Sequence, residues 1–318
     1  MFLKEYSEKM RVLITGGSGY LAWELVRQMK AVGCYEIVVA SSTPEKLKDD
    51  ENYEGTIVIA NEVIWDDNIF LKTIDIIVHT AFCRKSMGSE LMDSLQFSGK
   101  LFQQAKYCKV RGLINISSQS VYGSEKEILP AENGKYAPGY LYSFAKATSE
   151  LLMESIIDES ETNYTAIRLA SLVGPGKFIP INVLYKFVEN ALEGKTIHIE
   201  GGKQNFSFMD VRDAASAIIQ LMEIPNKEWN KYYNLGPEKQ INIKELAQMA
   251  VQYAVTVGGY PVAIKIKEDD TLLNAGMNSG KIYQTLNWKP QYRLQDTIAE
   301  TGRYISYKKR QVSNTYIK

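Results

Sequence analysis

What most restricts the fold of this chain is a rhythm in its first half. Short runs rich in β-branched residues alternate with helical stretches. The runs are RVLIT (11–15), EIVVA (36–40), TIVIA (56–60), DIIVHT (75–80), GLINIS (112–117) and TAIRLA (165–170). Most are apolar throughout rather than alternating, the pattern of strands buried on both faces, as in a parallel sheet. Helices are predicted over 20–32, 89–109 and 140–158. A βαβα order of this kind predicts an α/β fold with a doubly wound parallel sheet. The second half is more mixed: a helix over 182–194, a strand TIHIE (196–200), a helix over 211–222, a strand YYNLG (232–236), a helix over 243–255, a strand PVAIKIK (261–267) and C-terminal helices. It reads as a smaller α/β lobe.

The first strand runs into Gly16-Gly17-Ser18-Gly19-Tyr20-Leu21-Ala22 and then a helix ending near Gly33. A glycine-rich turn at this place lets a pyrophosphate approach the backbone and sit on the helix N-terminus, where free N–H groups face it. Gly16, Gly19, Tyr20 and Leu21 are therefore candidate cofactor contacts in a Rossmann-type sheet. The dinucleotide-binding domain is expected over 10–175, with segments near 205–236 returning to it. Residues 176–204 and 237–318 are expected to form the substrate lobe.

An NAD site usually carries an acidic residue at the end of the second strand, bonded to the ribose 2′-hydroxyl. Here that strand ends in Ser41-Ser42-Thr43, with Lys46 in reach. No carboxylate repels a 2′-phosphate, so Ser41 and Ser42 lean the expectation towards NADP, with NAD the alternative.

Composition excludes several classes. The chain has 318 residues, 45% of them hydrophobic, with 37 basic residues against 37 acidic ones. That balance gives no electrostatic case for nucleic-acid or membrane-surface binding. No apolar run is long enough to cross a bilayer, and MFLKEYSEKM carries charges where a signal peptide has its apolar stretch. Cys34, Cys83 and Cys108 follow no metal or CxxC spacing, and there are two histidines in all, so no metal site is expected. A reducing cytoplasm fits.

The helix over 140–158 holds Tyr142, Lys146 and Glu150 at successive turns of one face. A phenol is a poor base at neutral pH, while a nearby ammonium and an oxidised nicotinamide favour its phenolate.

With loop, rhythm and Tyr-x-x-x-Lys in place, the chain resembles the extended short-chain dehydrogenase/reductase family, and within it the sugar-nucleotide epimerase/dehydratase group. Thr15–Ala22 matches TGxxGxxG with the last glycine changed, and Val78-His79-Thr80-Ala81 resembles the fourth-strand HLAA that lines the cofactor. Glu62, followed by Val63, falls where the family has an Asp near the adenine. Residues 117–123 look like SSxxVYG, 168–176 like RxxNVYGPG, 208–215 like FVxVxDxA, 233–236 like YNxG and 286–290 like LGWxP. The resemblance implies that Tyr142 is the acid/base, that Lys146 serves both tyrosine and nicotinamide ribose, and that Ser118 completes the trio. It adds Thr80, Ala81 and Leu169 to the cofactor set. Glu150 reads as structural.

The substrate implied is a nucleotide-activated sugar, oxidised or reduced at a carbinol carbon, C4 in the first instance. The enzyme is then an epimerase working through a 4-keto intermediate, or a ketoreductase of a nucleotide sugar or another small carbonyl compound. A non-catalytic dinucleotide sensor of the same fold is the reading from another class, and the retained trio argues against it. Gln119-Ser120 stand where dehydratases place Asp-Glu, which discounts loss of water. Ser171 replaces the asparagine of RxxN, and Phe206 replaces an arginine that binds the diphosphate. These two, with Ser118, are the candidate substrate contacts. A homodimer is compatible with the resemblance.

Overall fold

The computed structural model describes residues 9–66, 70–84, 88–123, 129–267 and 273–315. In chain order the first half runs β1 (Met10–Thr15), α1 (Tyr20–Val32), β2 (Tyr35–Ser41), α2 (Glu45–Lys48), β3 (Ile57–Ala60), α3 (Val63–Asp66), β4 (Ile76–His79), α4 (Gly88–Tyr107), β5 (Gly112–Ser118), α5 (Leu141–Ile157) and β6 (Asn163–Leu169). The second half runs β7 (Ser171–Val173), α6 (Val183–Leu192), β8 (Ile197–Glu200), β9 (Asn205–Phe206), β10 (Phe208–Asp210), α7 (Val211–Glu223), β11 (Tyr232–Leu235), β12 (Ile241–Asn242), α8 (Ile243–Thr256), β13 (Ile264–Lys267), β14 (Asn274–Ala275), α9 (Gly280–Leu286) and α10 (Leu294–Thr315). Each strand and helix read from the sequence is present, with ends displaced by at most three residues.

Among the described residues the main sheet has seven strands in the order β11-β6-β5-β4-β1-β2-β3. β1 pairs in parallel with both β2 and β4, and the parallel pairing extends to β3 and β5. The strand order reverses between β1 and β4. In open α/β sheets, ligands bind at such a switch point, beyond the carboxyl ends of the strands.

Contacts divide the chain into two compact units. The first comprises Met1–Ser118, Tyr140–Arg168 and Ala215–Tyr233; the second comprises Gln119–Gly139, Leu169–Ala214 and Asn234–Lys318. This differs from the expected boundary near 175. The chain leaves the first unit where β5 and β6 end, so residues 119–139 and 169–175 go with the second, and the returning segment is 215–233 rather than 205–236.

The first unit's core packs Leu13, Val38, Ile77, Leu113 and Ala166 of the sheet against Leu101, Phe102 and Ala105 of α4 and Met153 and Ile157 of α5. Each fully buried Leu, Ile, Val, Phe or Met side chain among them contributes on the order of 1.5–3 kcal/mol. This packing makes α4 and α5 rigid supports for what they carry. The second unit has a core of its own, in which Leu184, Phe187 and Val188 of α6 meet Leu246, Ala247 and Ala250 of α8 and Ile298 and Ile305 of α10. Its sheets are small: β10 on β7, β12-β9-β14, and β13 on β8. No helix among the described residues is long and apolar enough to cross a membrane.

Candidate active site

β1 ends at Thr15, and Gly16 turns the chain with φ +76°. A Cβ there would lie 2.7 Å from the Ala81 backbone, so the position needs glycine for both conformation and space. At Gly17 a Cβ would lie 2.3 Å from Val39 Cγ1. The turn closes through Gly19 N–H to the Gly16 carbonyl at 2.8 Å, and is tied to the sheet by Gly17 N–H to the Ala40 carbonyl at 2.9 Å. Tyr53 supports it from beneath, donating its hydroxyl to the Gly17 carbonyl at 2.5 Å.

Gly19 is the N-cap of α1 and supplies no side-chain cap, and the first turn has no acidic residue. The amino end of α1 thus has no side-chain cap from Gly19 and carries the positive end of the helix dipole. A glycine-rich turn leading into such an end suits a pyrophosphate, so the residues present fit a dinucleotide.

Thr80 and Ala81 follow β4. Thr80 donates to the Thr15 carbonyl at 2.7 Å. His79 is buried between Thr15 Oγ1 (2.8 Å from Nδ1) and Ser98 Oγ (2.9 Å from Nε2). Burial, with the Lys146 charge adding, lowers its pKa to about 3. It is a neutral residue bonded within the fold. Glu62 and Val63 follow β3 and are exposed.

The reading of Ser41 and Ser42 changes. Ser41 is buried, and its Oγ accepts the Thr43 N–H at 3.1 Å. It completes its own turn and does not present a hydroxyl to a 2′-phosphate. Ser42 and Lys46 are exposed. The lean to NADP thus loses the buried half of its support.

α5 is placed by its start and by three side-chain ties. Ser143 accepts the Tyr140 N–H at 3.1 Å, capping the helix as it begins. Asn115 of β5 donates to Ser149 at 3.1 Å, Lys146 Nζ donates to the Ile116 carbonyl at 2.6 Å, and the Ser117 hydroxyl bonds Glu150. This brings Tyr142 and Lys146 to the carboxyl end of β5, where Ser118 is hydrogen-bonded to Tyr142.

Burial pushes the Tyr142 phenol up to about 12, against Arg84 and the Ser118 bond, which act to lower it. Burial also brings Lys146 down to about 7; Glu150 opposes that shift and Arg84 adds to it. The Phe82 ring packs edge-on to Tyr142, with 6.1 Å between centroids. The sequence reading missed Phe82, which follows Thr80-Ala81 directly. Its place after a motif was the available signal, but nothing in the pattern says which way the ring turns.

Leu169, Ser171 and Phe206 belong to the second unit. Ser171 Oγ lies 3.4 Å from the Gln119 amide nitrogen. Phe206 stacks on Phe208 at 5.5 Å and borders the apolar core of that unit. Arg212 is paired with Asp210 and Glu300, and Arg293 with Asp296, so neither stands free to take the place of the missing arginine. Away from these residues, an open cleft of about 830 Å³ borders the amino ends of β1–β3, with charges of both signs including Arg11, Glu36 and Asp75.

Comparison with known proteins places these features in a family. Residues 12–236 match the NAD dependent epimerase/dehydratase family. An uncharacterised protein, y4nG, of Sinorhizobium fredii is 25% identical over 248 residues, covering 77% of this chain and 60% of that protein. A probable UDP-glucuronate 4-epimerase of Rhizobium meliloti is 25% identical over 277 residues, 80% of this chain and 79% of that one. The crystal structure of UDP-glucuronic acid 4-epimerase from Bacillus cereus in complex with NAD superposes with a TM-score of 0.80 at 20% identity, covering 93% and 96% of the two chains.

Proposed function

This chain belongs to the NAD-dependent epimerase/dehydratase family, and on that premise we propose that it epimerises a nucleotide-activated sugar at C4. One observation carries the reading. A single compact unit holds both a glycine turn fit for a dinucleotide and, at the carboxyl end of β5, the trio Ser118, Tyr142 and Lys146. The relatives named as UDP-glucuronate 4-epimerases support the choice of reaction.

The dinucleotide, when bound, supplies the hydride acceptor and donor and, in its oxidised form, a positive charge beside the phenol. With its pKa at about 12, Tyr142 holds its proton at neutral pH, and an added positive charge is what makes it a proton acceptor. Tyr142 takes the C4 hydroxyl proton as that carbon is oxidised, and returns it when the 4-keto sugar is reduced from its other face. Ser118 holds the substrate oxygen by hydrogen bond. Lys146 donates to the nicotinamide ribose. Gly16, Gly19, Tyr20 and Leu21 bind the pyrophosphate, Thr80, Ala81 and Leu169 line the cofactor, and Ser171 and Phe206 meet the substrate.

We take NAD as the cofactor. The buried Ser41 removes one of the two hydroxyls that favoured NADP, and the B. cereus enzyme is in complex with NAD. NADPH binding tighter than NADH would reverse this choice. A second reading, a ketoreductase, draws on Phe206: a side chain stacked on Phe208 offers a diphosphate no charge. UDP-, dTDP-, GDP- and CDP-sugars, incubated with the protein and product-assayed by NMR, separate the two. Interconversion of C4 epimers without net cofactor consumption is expected. Stoichiometric oxidation of the reduced cofactor would favour the reductase.

Two further expectations belong here. The three cysteines are free thiols, which suits a reducing, cytoplasmic setting. α5 leaves Leu141, Phe144 and Leu151 exposed along one stripe, with Met92 of α4 exposed as well, and we assign this stripe to a homodimer contact.

A further inference from the structure

The carboxylate of Glu150 takes no part in the chemistry above, yet it is fully buried and one turn along α5 from Lys146 on the same face. Arg168 reaches it from β6, with Nη2 at 2.7 Å and Nε at 3.0 Å from Oε2. The Ser117 hydroxyl donates to Oε1. The clamp is itself held: the Tyr232 ring packs on the Arg168 guanidinium at 4.4 Å, and the Tyr232 hydroxyl donates to Glu154 at 2.5 Å.

A buried ion pair is weak evidence for stability, because apolar residues of similar shape often serve as well or better. Apolar replacements could not place a negative charge in a dry region beside an ammonium. Lys146 is 4% exposed; it donates to the Ile116 carbonyl and lies over the Phe82 and Tyr142 rings. The charged and titratable groups around it are Tyr142 and Glu150 on α5, His79 at the end of β4, Cys83 and Arg84 after β4, and Arg168 behind Glu150. Among them His79 is held neutral, Tyr142 keeps its proton, and Arg84 opposes a second positive charge. Glu150 is the group that favours one. It also touches Ser117, the neighbour of Ser118, so one carboxylate links the strand end to the helix face that together carry the trio.

We propose that Glu150 is a positioning residue for Lys146: clamped by Arg168 and Ser117, it holds α5 in register with the end of β5 and keeps the lysine an ammonium where water cannot. The proposal rests on the dinucleotide reading of this site, in which the ammonium donates to ribose hydroxyls.

The test is NADH affinity, followed by fluorescence titration from neutral to mildly alkaline pH in wild type, Glu150→Gln and the double variant Glu150→Gln/Arg168→Gln. NADH is the probe because its ring is uncharged and does not repel the lysine. In wild type, affinity falls as pH rises through the Lys146 titration. In Glu150→Gln that fall moves to lower pH by about one unit, a tenfold change in the lysine's proton affinity. The single variant leaves Arg168 buried without its partner, so the double variant, which removes both charges, keeps the test open if the single one does not fold. A displaced fall in either folded variant supports the proposal. The same loss of affinity at every pH would reduce Glu150 to a structural residue and overturn it. Wild-type protein that binds neither NADH nor NADPH would overturn the dinucleotide reading and the proposal with it.

Discussion

The ring of Phe82 covers the ammonium of Lys146, with 3.9 Å between nitrogen and ring centroid. A ring in that place does two opposed things. It attracts the cation, by about 0.5–2 kcal/mol, and it keeps water away, which lowers the amine's pKa. Burial is the largest cause of the shift of Lys146 to about 7, and the Phe82 ring is part of what buries it. Phe82→Ala should admit water and raise the lysine's pKa. The pH at which NADH affinity falls then moves up, the opposite direction to Glu150→Gln. A downward move in the same titration would mean that the cation–ring attraction dominates.

Tyr142→Phe removes the proton carrier and leaves the ring that packs against Phe82. Turnover on the true substrate should fall by about 10²–10⁴-fold, with NADH affinity within about a factor of two of wild type. Single-turnover kinetics beside a binding titration checks both. Near wild-type turnover would refute the role.

His79 gives a pH dependence with a definite sign. Its pKa is about 3 in the folded protein against an ordinary 6.5. Between those values the unfolded chain binds a proton that the folded one refuses. Stability therefore falls as pH drops from 6.5 towards 3, and is unaffected by this group above 6.5. His79→Gln should be less stable at neutral pH, having lost its fit between Thr15 and Ser98, yet show a shallower loss of stability on acidification. Urea unfolding at several pH values reads the slope directly. Equal slopes would assign the acid sensitivity to carboxylates instead.

The exposed stripe of α5 predicts self-association. Phe144→Glu with Leu151→Glu puts two charges where a second copy would bury apolar surface, which should convert a dimer to monomer in sedimentation velocity at unchanged secondary structure. A monomeric wild type would remove the homodimer from the proposal.

The sheet was legible because its strands are short, apolar and β-branched, and because a switch-point turn has to be made of small residues. Gly16 and Gly17 are there for space that a Cβ would fill, and that need can be read in the letters. That Tyr142 and Lys146 share one face of α5 was legible from helical spacing. Ser41 was not: a hydroxyl at a strand end can face the ligand or close its own turn, and the sequence is the same in both cases. Glu150 looked structural from its place on the helix. Its clamp by Arg168 depends on a strand that lies beside β5 only in the fold. The boundary between the units was missed for a related reason. It depends on where the chain exits the sheet after β5 and β6, not on any change in composition at 175.

The alternation of the chain between its two units, five passages in all, bears on how the protein is made. On the ribosome, β1 to β6 emerge in order, but β11, the strand that completes the sheet beyond β6, arrives only at Tyr232–Leu235. Until then the outer edge of β6 has no neighbouring strand, and an unprotected edge of this kind invites pairing with another nascent chain. A polypeptide halted between Leu169 and Tyr232 should thus be a stronger chaperone client than the full chain.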